Sequence, residues 1–248
     1  MMVVFLMNSE KGSMIAKNGF RNEKDVASKF NKWKEDKDAQ NWLNIMGYEL
    51  NNIDKVKAFV LTKGYKSDVV VCINSQNQKE NIQVKLVSNA NGYNQIDKRW
   101  VNKYSIMWSI PEDIELLLKY FTGEKSPFKT DVKDKRRMFL NEFDKQDQLK
   151  IIEFFKENKK IIVSDILKGR GEYSAKWMLV SQKIENQRWI LKTINEVISY
   201  YGTGDVKITK RGNLKIGRIT MQRKGGDGGR PSANMLQFKI NPAELFDV

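Results

Sequence analysis

Two short apolar runs, Val69–Ile73 and residues 82–87, narrow the fold of this chain more than any other feature. Each has the length of a strand rather than a helix, and the amide-rich NSQNQKEN between them reads as a hairpin connection. Yet Asp68 stands at the mouth of the first run, and Gln83 and Lys85 interrupt the second. With a side-chain period of two, Asp68 shares a face with Val70 and Cys72, while Gln83 and Lys85 lie opposite Ile82, Val84 and Leu86. An antiparallel pairing with the polar faces aligned brings Asp68 near Gln83 and Lys85. The spacing allows that register without fixing it. A sheet that accepts an acid, an amide and an ammonium in one place needs something to satisfy them.

The surrounding pattern is mixed. Residues 13–35 read as a helix with Ile15, Phe20, Val26, Ala27 and Phe30 on one stripe. DAQNWLNIMGYELNNIDKVKAFVL reads as short helices broken at Gly47, and residues 95–120 as helical, with Pro111 starting a second helix. Residues 145–156 and 187–201 read as amphipathic helices, the latter ended by Gly202 and Gly204. KSPFKTDVKDKRRMF is a basic loop leading into a helix, and KWMLVSQKI reads as strand. Towards the C-terminus DVKITKRG, LKIGRITMQRK and NMLQFKI are strand-like, with GGDGGRPSA between the last two. No repeat or Pro/Ser-rich linker divides the 248 residues. The expectation is a mixed α/β fold, one domain over 1–248, with a mostly antiparallel central sheet flanked by helices and a β-rich C-terminal portion.

Histidine is absent, which removes the Ser-His-Asp triad, His-ligated zinc and an imidazole base. Catalysis must run on carboxylates, amides, lysine and a bound hard cation. The one cysteine, Cys72, permits no internal disulfide and no multi-cysteine zinc site; its strand context suggests a core thiol in a reducing cytoplasm. The opening MMVVFLMN lacks the basic region and cleavage site of a signal peptide, and no run reaches the ~18 apolar residues of a membrane span. A soluble cytoplasmic protein is expected. With 44 Lys and Arg against 30 Asp and Glu, the net charge of +14 points to a polyanionic partner, and duplex DNA carries about one charge per 1.7 Å of axis.

The hairpin residues suit phosphodiester hydrolysis. A carboxylate anchors Mg²⁺, an amide oxygen or a nearby backbone carbonyl completes the protein ligands, and lysine orients or deprotonates the attacking water and stabilises the pentavalent phosphate. The plain alternative is a surface hairpin with an ordinary Asp–Lys ion pair, because the spacing is short and promiscuous.

Ser67-Asp68 followed by Gln83-Val84-Lys85 resembles the PD-(D/E)xK nucleases, in the variant where Gln replaces the second acid. Longer words narrow the resemblance: GFRNEKDVA, IQVKLVSN, NQIDKRW, TGE, KDKRRMF, DILKGRG, INEV, MQRKGGDGGRPSANMLQFKI and ELFDV. Together they resemble the HinP-type type II restriction endonucleases, which cut GCGC, along essentially the whole chain. The resemblance implies a Mg²⁺-dependent endonuclease with Asp68 as the metal-binding acid, Gln83 at the second acid position and Lys85 as the catalytic lysine. Asp68, Gln83 and Val84 would hold the metal, and Glu23 on the first helix matches a place where such folds add another acid. It further implies cleavage after the first G with a 5′ overhang, and a cognate DNA methyltransferase in the same system.

Two segments are candidates for reading DNA. NANGYNQIDKRW follows the catalytic strand: Tyr93 and Gln95, in a Gly/Asn loop, insert between bases or touch a groove, while Lys98 and Arg99 hold phosphates. In the C-terminal hairpin, Arg223, Lys224 and Arg230 carry donors suited to guanine O6 and N7, and Asn234 and Gln237 add amide contacts. Its glycines do not form a nucleotide-binding loop. A non-catalytic DNA-binding protein with a degenerate nuclease core and a structure-specific repair or junction nuclease stay open as rivals. So does the choice between a monomer and a weak homodimer.

Overall fold

The computed structural model describes residues 2–62, 64–74, 78–88, 92–184 and 187–248, with side chains from residue 17 onward. In chain order its first half contains α1 (Met2–Asn31), α2 (Lys37–Ile45), β1 (Val56–Val60), β2 (Val69–Ile73), β3 (Lys79–Val87), β4 (Asn94–Arg99), α3 (Val101–Trp108) and α4 (Glu112–Thr122). The second half contains α5 (Lys145–Glu157), α6 (Lys159–Leu167), β5 (Trp177–Gln182), β6 (Arg188–Thr193), α7 (Ile194–Gly202), β7 (Val206–Ile208), β8 (Leu214–Ile216), β9 (Ile219–Arg223) and β10 (Leu236–Ile240). Backbone contacts divide these into two units, each with its own five-stranded sheet. No helix among the described residues is long and apolar enough to cross a membrane.

The unit of residues 11–92, 167–198 and 241–248 holds the sheet β1-β2-β3-β5-β6. The hairpin read from the sequence is present, β2 running antiparallel to β3 with Val69 opposite Ile82. Only the β3–β5 pair is parallel. Val69, Val70 and Val71 are all fully buried, so the run is apolar without alternation because both faces of β2 are covered. Val26, Ala27 and Phe30 of α1 pack on this sheet with Trp42 and Leu43 of α2, and the Phe30 and Trp42 rings lie 5.2 Å apart. The Asn31 amide pins the end of α1 to β1, donating to Ala58 O at 2.9 Å and accepting from Ala58 N at 2.8 Å. It thereby satisfies backbone groups that an edge strand leaves unpaired.

The unit of residues 1–10, 93–166 and 199–240 holds a wholly antiparallel sheet, β4-β10-β9-β8-β7. Its aromatic core stacks Tyr104 on Trp108 at 4.7 Å, with the Phe238 ring edge-on to both. The β8–β9 turn passes through Gly217 at φ +58°, where a Cβ would lie 2.6–2.8 Å from the carbonyl oxygens of Tyr201, Gly202 and Thr203. Only glycine fits there.

Several element readings are corrected. The strand β1 occupies VKAFV, which the sequence pattern assigned to a helix. β4 occupies the start of the supposed helix at 95–120, because its backbone pairs with β10. β6 takes the first half of the supposed helix at 187–201, since it pairs with β5 along its whole length. The strand-like LKIGRITMQRK holds two strands, β8 and β9. Helix α1 begins at Met2 rather than 13, and the Ile15 side chain lies outside the described residues. Cys72 is half-buried on β2 rather than a full core thiol. Readings that stand are α5, α4 beginning directly after Pro111, and KWMLVSQKI as β5.

Candidate active site

The β2–β3 register does what the sequence left open. The Asp68 N–H donates to Ile82 O at 2.9 Å, which continues the ladder one step beyond Val69 and sets Asp68 opposite Gln83. The polar faces of the hairpin therefore align. Asp68 Oδ2 accepts the Val84 N–H at 2.8 Å and lies 3.8 Å from Lys85 Nζ. Lys85 is held half-buried, its side chain 14% exposed.

Gln83 is 2% exposed, and its Nε2 donates to Lys66 O at 3.1 Å. That bond fixes the amide's orientation and leaves Oε1 buried with no hydrogen-bond partner among the described residues. A buried acceptor without a donor is costly, which makes it a natural ligand for a cation.

Electrostatics tie α1 to the same place. Burial, then the negative charge of Asp68, push the Glu23 carboxyl up from 4.5 to about 7, with Lys85 opposing. Burial likewise raises Asp68, against the pull of Lys85, the Val84 N–H and Lys66. Two carboxylates that resist ionisation beside an orphaned amide oxygen form a set short of positive charge. The residues present fit a divalent cation: Asp68, the Gln83 amide oxygen, the Val84 carbonyl and Glu23 are oxygen donors of the type that Mg²⁺ takes.

Sequence reasoning missed Lys66 and Asn22. Lys66 supplies the carbonyl that orients Gln83 and a positive charge felt by Asp68. Its stem lies against Gly169, where a Cβ would meet Lys66 Cγ at 2.2 Å. Gly169 belongs to the DILKGRG segment, and only the fold brings residues 66 and 169 together. Asn22, beside Glu23 on α1, is 2% exposed, and neither of its amide atoms has a partner among the described residues.

The residues expected to read DNA all lie in the other unit. Tyr93 is exposed, with Lys215 Nζ 5.6 Å from its ring centroid. Gln95, Lys98 and Arg99 are exposed on the edge strand β4, so the expected loop ends earlier than the sequence suggested; residues 89–91 lie outside those described. Arg99 Nε bonds the buried Asp97 at 3.1 Å, and Asp97 also accepts the Tyr104 hydroxyl.

In the C-terminal hairpin, β9 and β10 pair with Leu236 opposite Arg223. Arg223 donates to Asn234 Oδ1 at 3.2 and 2.6 Å. Asp227 in the connecting loop pairs with Lys224 at 2.7 Å and Arg230 at 3.2 Å, and accepts the Ser232 hydroxyl. Gln237 is buried, its amide within 3.3–3.4 Å of the Arg223 and Lys224 carbonyls. Asn234 and Gln237 thus hold the hairpin's own backbone and side chains in place.

The fold is that of a restriction endonuclease. The chain is similar to the crystal structure of the restriction endonuclease MspI in complex with its cognate DNA, at a TM-score of 0.63 and 15% identity, over 93% of this chain and 92% of that one. No curated protein matches the sequence. Residues 46–246 match the model of the R.HinP1I restriction endonuclease family, and the chain belongs to that family. It is a type II site-specific deoxyribonuclease, of a class that generally works with a divalent metal.

Proposed function

We propose that this enzyme makes Mg²⁺-dependent double-strand breaks at GCGC, cutting after the first G to leave a 5′ overhang. The chemistry is carried by Asp68, Gln83, Val84, Lys85 and Glu23. The observation that carries the metal chemistry is the buried, unpartnered Gln83 Oε1 across the hairpin from Asp68, whose charge is disfavoured, as is that of Glu23; the GCGC site rests on the likeness to the R.HinP1I family. Asp68, Gln83 Oε1 and the Val84 carbonyl would hold the cation, with Glu23 beside them.

When bound, the metal supplies Lewis acidity to the scissile phosphate and acidifies water. Lys85 orients the attacking water and donates to the phosphoryl oxygens as charge builds on them. Glu23, which shares the field of Asp68 and Lys85, would add a carboxylate oxygen beside the cation. Lys66 holds Gln83 in the one orientation that offers oxygen rather than nitrogen.

Sequence reading is assigned to Tyr93 and Gln95 and to the C-terminal hairpin, with Lys98 and Arg99 on phosphates. The chain works as one restriction-endonuclease-like domain over 1–248 in the cytoplasm, as a monomer or weak homodimer. A methyltransferase protects the host DNA without forming a stable complex. Digestion of a sequenced plasmid with Mg²⁺, followed by mapping of the fragment ends, tests the reading. Ends at GCGC are expected, and Asp68→Asn should abolish them. Near-normal cleavage by Asp68→Asn would remove the chemistry from this hairpin.

A further inference from the structure

Arg137 is a largely buried cation without a hydrogen-bonded anion. Its guanidinium lies 4.0 Å from the Phe139 ring centroid and 5.6 Å from that of Phe121, and its side chain is 14% exposed. Nε and Nη1 are closed off from solvent and have no hydrogen-bond partner among the described residues. Asp134 Oδ2 stands 3.7 Å from Nε, beyond hydrogen-bonding distance, and Asp134 is already gripped by Arg136 at 2.8 and 2.9 Å.

A second guanidinium is fixed close by. Arg223 is held by Asn234 Oδ1, and Asn234 Nδ2 donates to Gly123 O at 2.8 Å. Gly123 ends α4 at φ +85°, and a Cβ there would lie 2.7 Å from Arg136 O and 3.5 Å from Arg137 Cβ and Asn234 Oδ1. The turn after α4 therefore joins the arginine loop to the β9–β10 connection. Burial, then repulsion from Arg223, depress Arg137 to about 10; burial and then Arg136 lower Arg223.

Three guanidinium groups gather around Asp134, and only Arg137 also feels a second negative charge, that of Glu142. Like charges are unfavourable where burial keeps water from screening them, as at Arg137, until an anion arrives. Arg136 on Asp134 and Arg223 on Asn234 each bond through Nε and Nη2, leaving Nη1 outside those bonds, and guanidinium donors suit phosphate oxygens in charge. Resting on the reading of this chain as a DNA nuclease, we propose that Arg136, Arg137 and Arg223 form a seat for one backbone phosphodiester of duplex DNA, with Asn234 as the positioning residue for Arg223. The seat adds affinity to every sequence alike. Among the hairpin cations, base reading then falls to Lys224 and Arg230 rather than Arg223.

The test is binding of a GCGC duplex and a scrambled duplex by fluorescence anisotropy, without divalent cation, across a salt series. Arg137→Gln should weaken both complexes by the same factor, about tenfold at low salt, and reduce the salt slope by about 0.9. Asn234→Ala should weaken both by less and leave the slope unchanged, because the charge count is kept. Asp134→Asn should strengthen both, an opposite sign that keeps the seat falsifiable even where Arg137→Gln fails to fold. A loss confined to the GCGC duplex would make Arg137 a base reader. An unchanged slope with a lowered melting temperature would make it a packing cation, and weaker or unchanged binding by Asp134→Asn would likewise overturn the seat. Wild-type chain that binds no duplex would overturn the nuclease reading as well; wild-type binding with an unaltered Arg137→Gln slope overturns the seat alone.

Discussion

Asp68 carries its charge at a cost that the free protein does not recover. Burial raises its carboxyl, and Glu23 is pushed up to about 7. For both groups the folded state binds the proton more tightly than the unfolded chain does. Their stabilising share is therefore complete below the unfolded values near 4 and is lost as pH rises through the folded ones. Metal-free protein should accordingly lose melting temperature between about pH 4.5 and 7, and Mg²⁺ should restore it at pH 8. Glu23→Gln should flatten that pH dependence, and calorimetry with and without Mg²⁺ checks both. At pH 8 without metal, Asp68→Asn should melt higher than wild type while cutting nothing, since the amide oxygen still accepts the Val84 N–H. The three hairpin residues were legible because a period of two is local. Lys66 was not, since nothing local marks residue 66 as the carbonyl that the Gln83 amide meets.

At the scale of elements, legibility followed the range of the forces involved. β2 and β3 announce themselves through apolar runs and an amide-rich turn between them. β4 and β6 do not: QIDKR and RWILKT carry charges that suit a helix surface equally well, and only pairing with β10 and β5 decides. The turn inside LKIGRITMQRK was not read from the sequence, because what demands glycine there is three carbonyl oxygens from the end of α7 closing on Gly217. Gly217→Ala should therefore cost about 2–3 kcal/mol, combining a left-handed backbone with steric contact. A lower denaturation midpoint with an unchanged slope would show it. An alanine as stable as wild type would mean that the β8–β9 turn relaxes freely.

Over the whole molecule, the excess of 14 positive charges sets how binding responds to salt. Affinity for DNA of any sequence should fall linearly in log salt, each neutralised phosphate contributing about −0.9 to the slope. Discrimination should behave differently. If GCGC is the site, as proposed, replacing Lys224 or Arg230 with Ala should cut the preference for it over a single-mismatch duplex by about tenfold, at fixed salt, while non-specific binding changes far less. Equal losses on both duplexes would make the hairpin a backbone clamp and move base reading towards Tyr93 and Gln95.

In the free protein Lys224 and Arg230 are both occupied by Asp227. A duplex that engages them must take them from a partner they already have. Where the bases offer little, the exchange is close to even, and the hairpin closes back on its own carboxylate. The complex then stays held by salt-sensitive backbone contacts, which let a protein slide along DNA. Where guanine edges stand in the right places, the exchange favours DNA and the scan halts. On the proposed assignment, Asp227 is an internal competitor for the same two cations, and removing it should lengthen the dwell on non-cognate DNA.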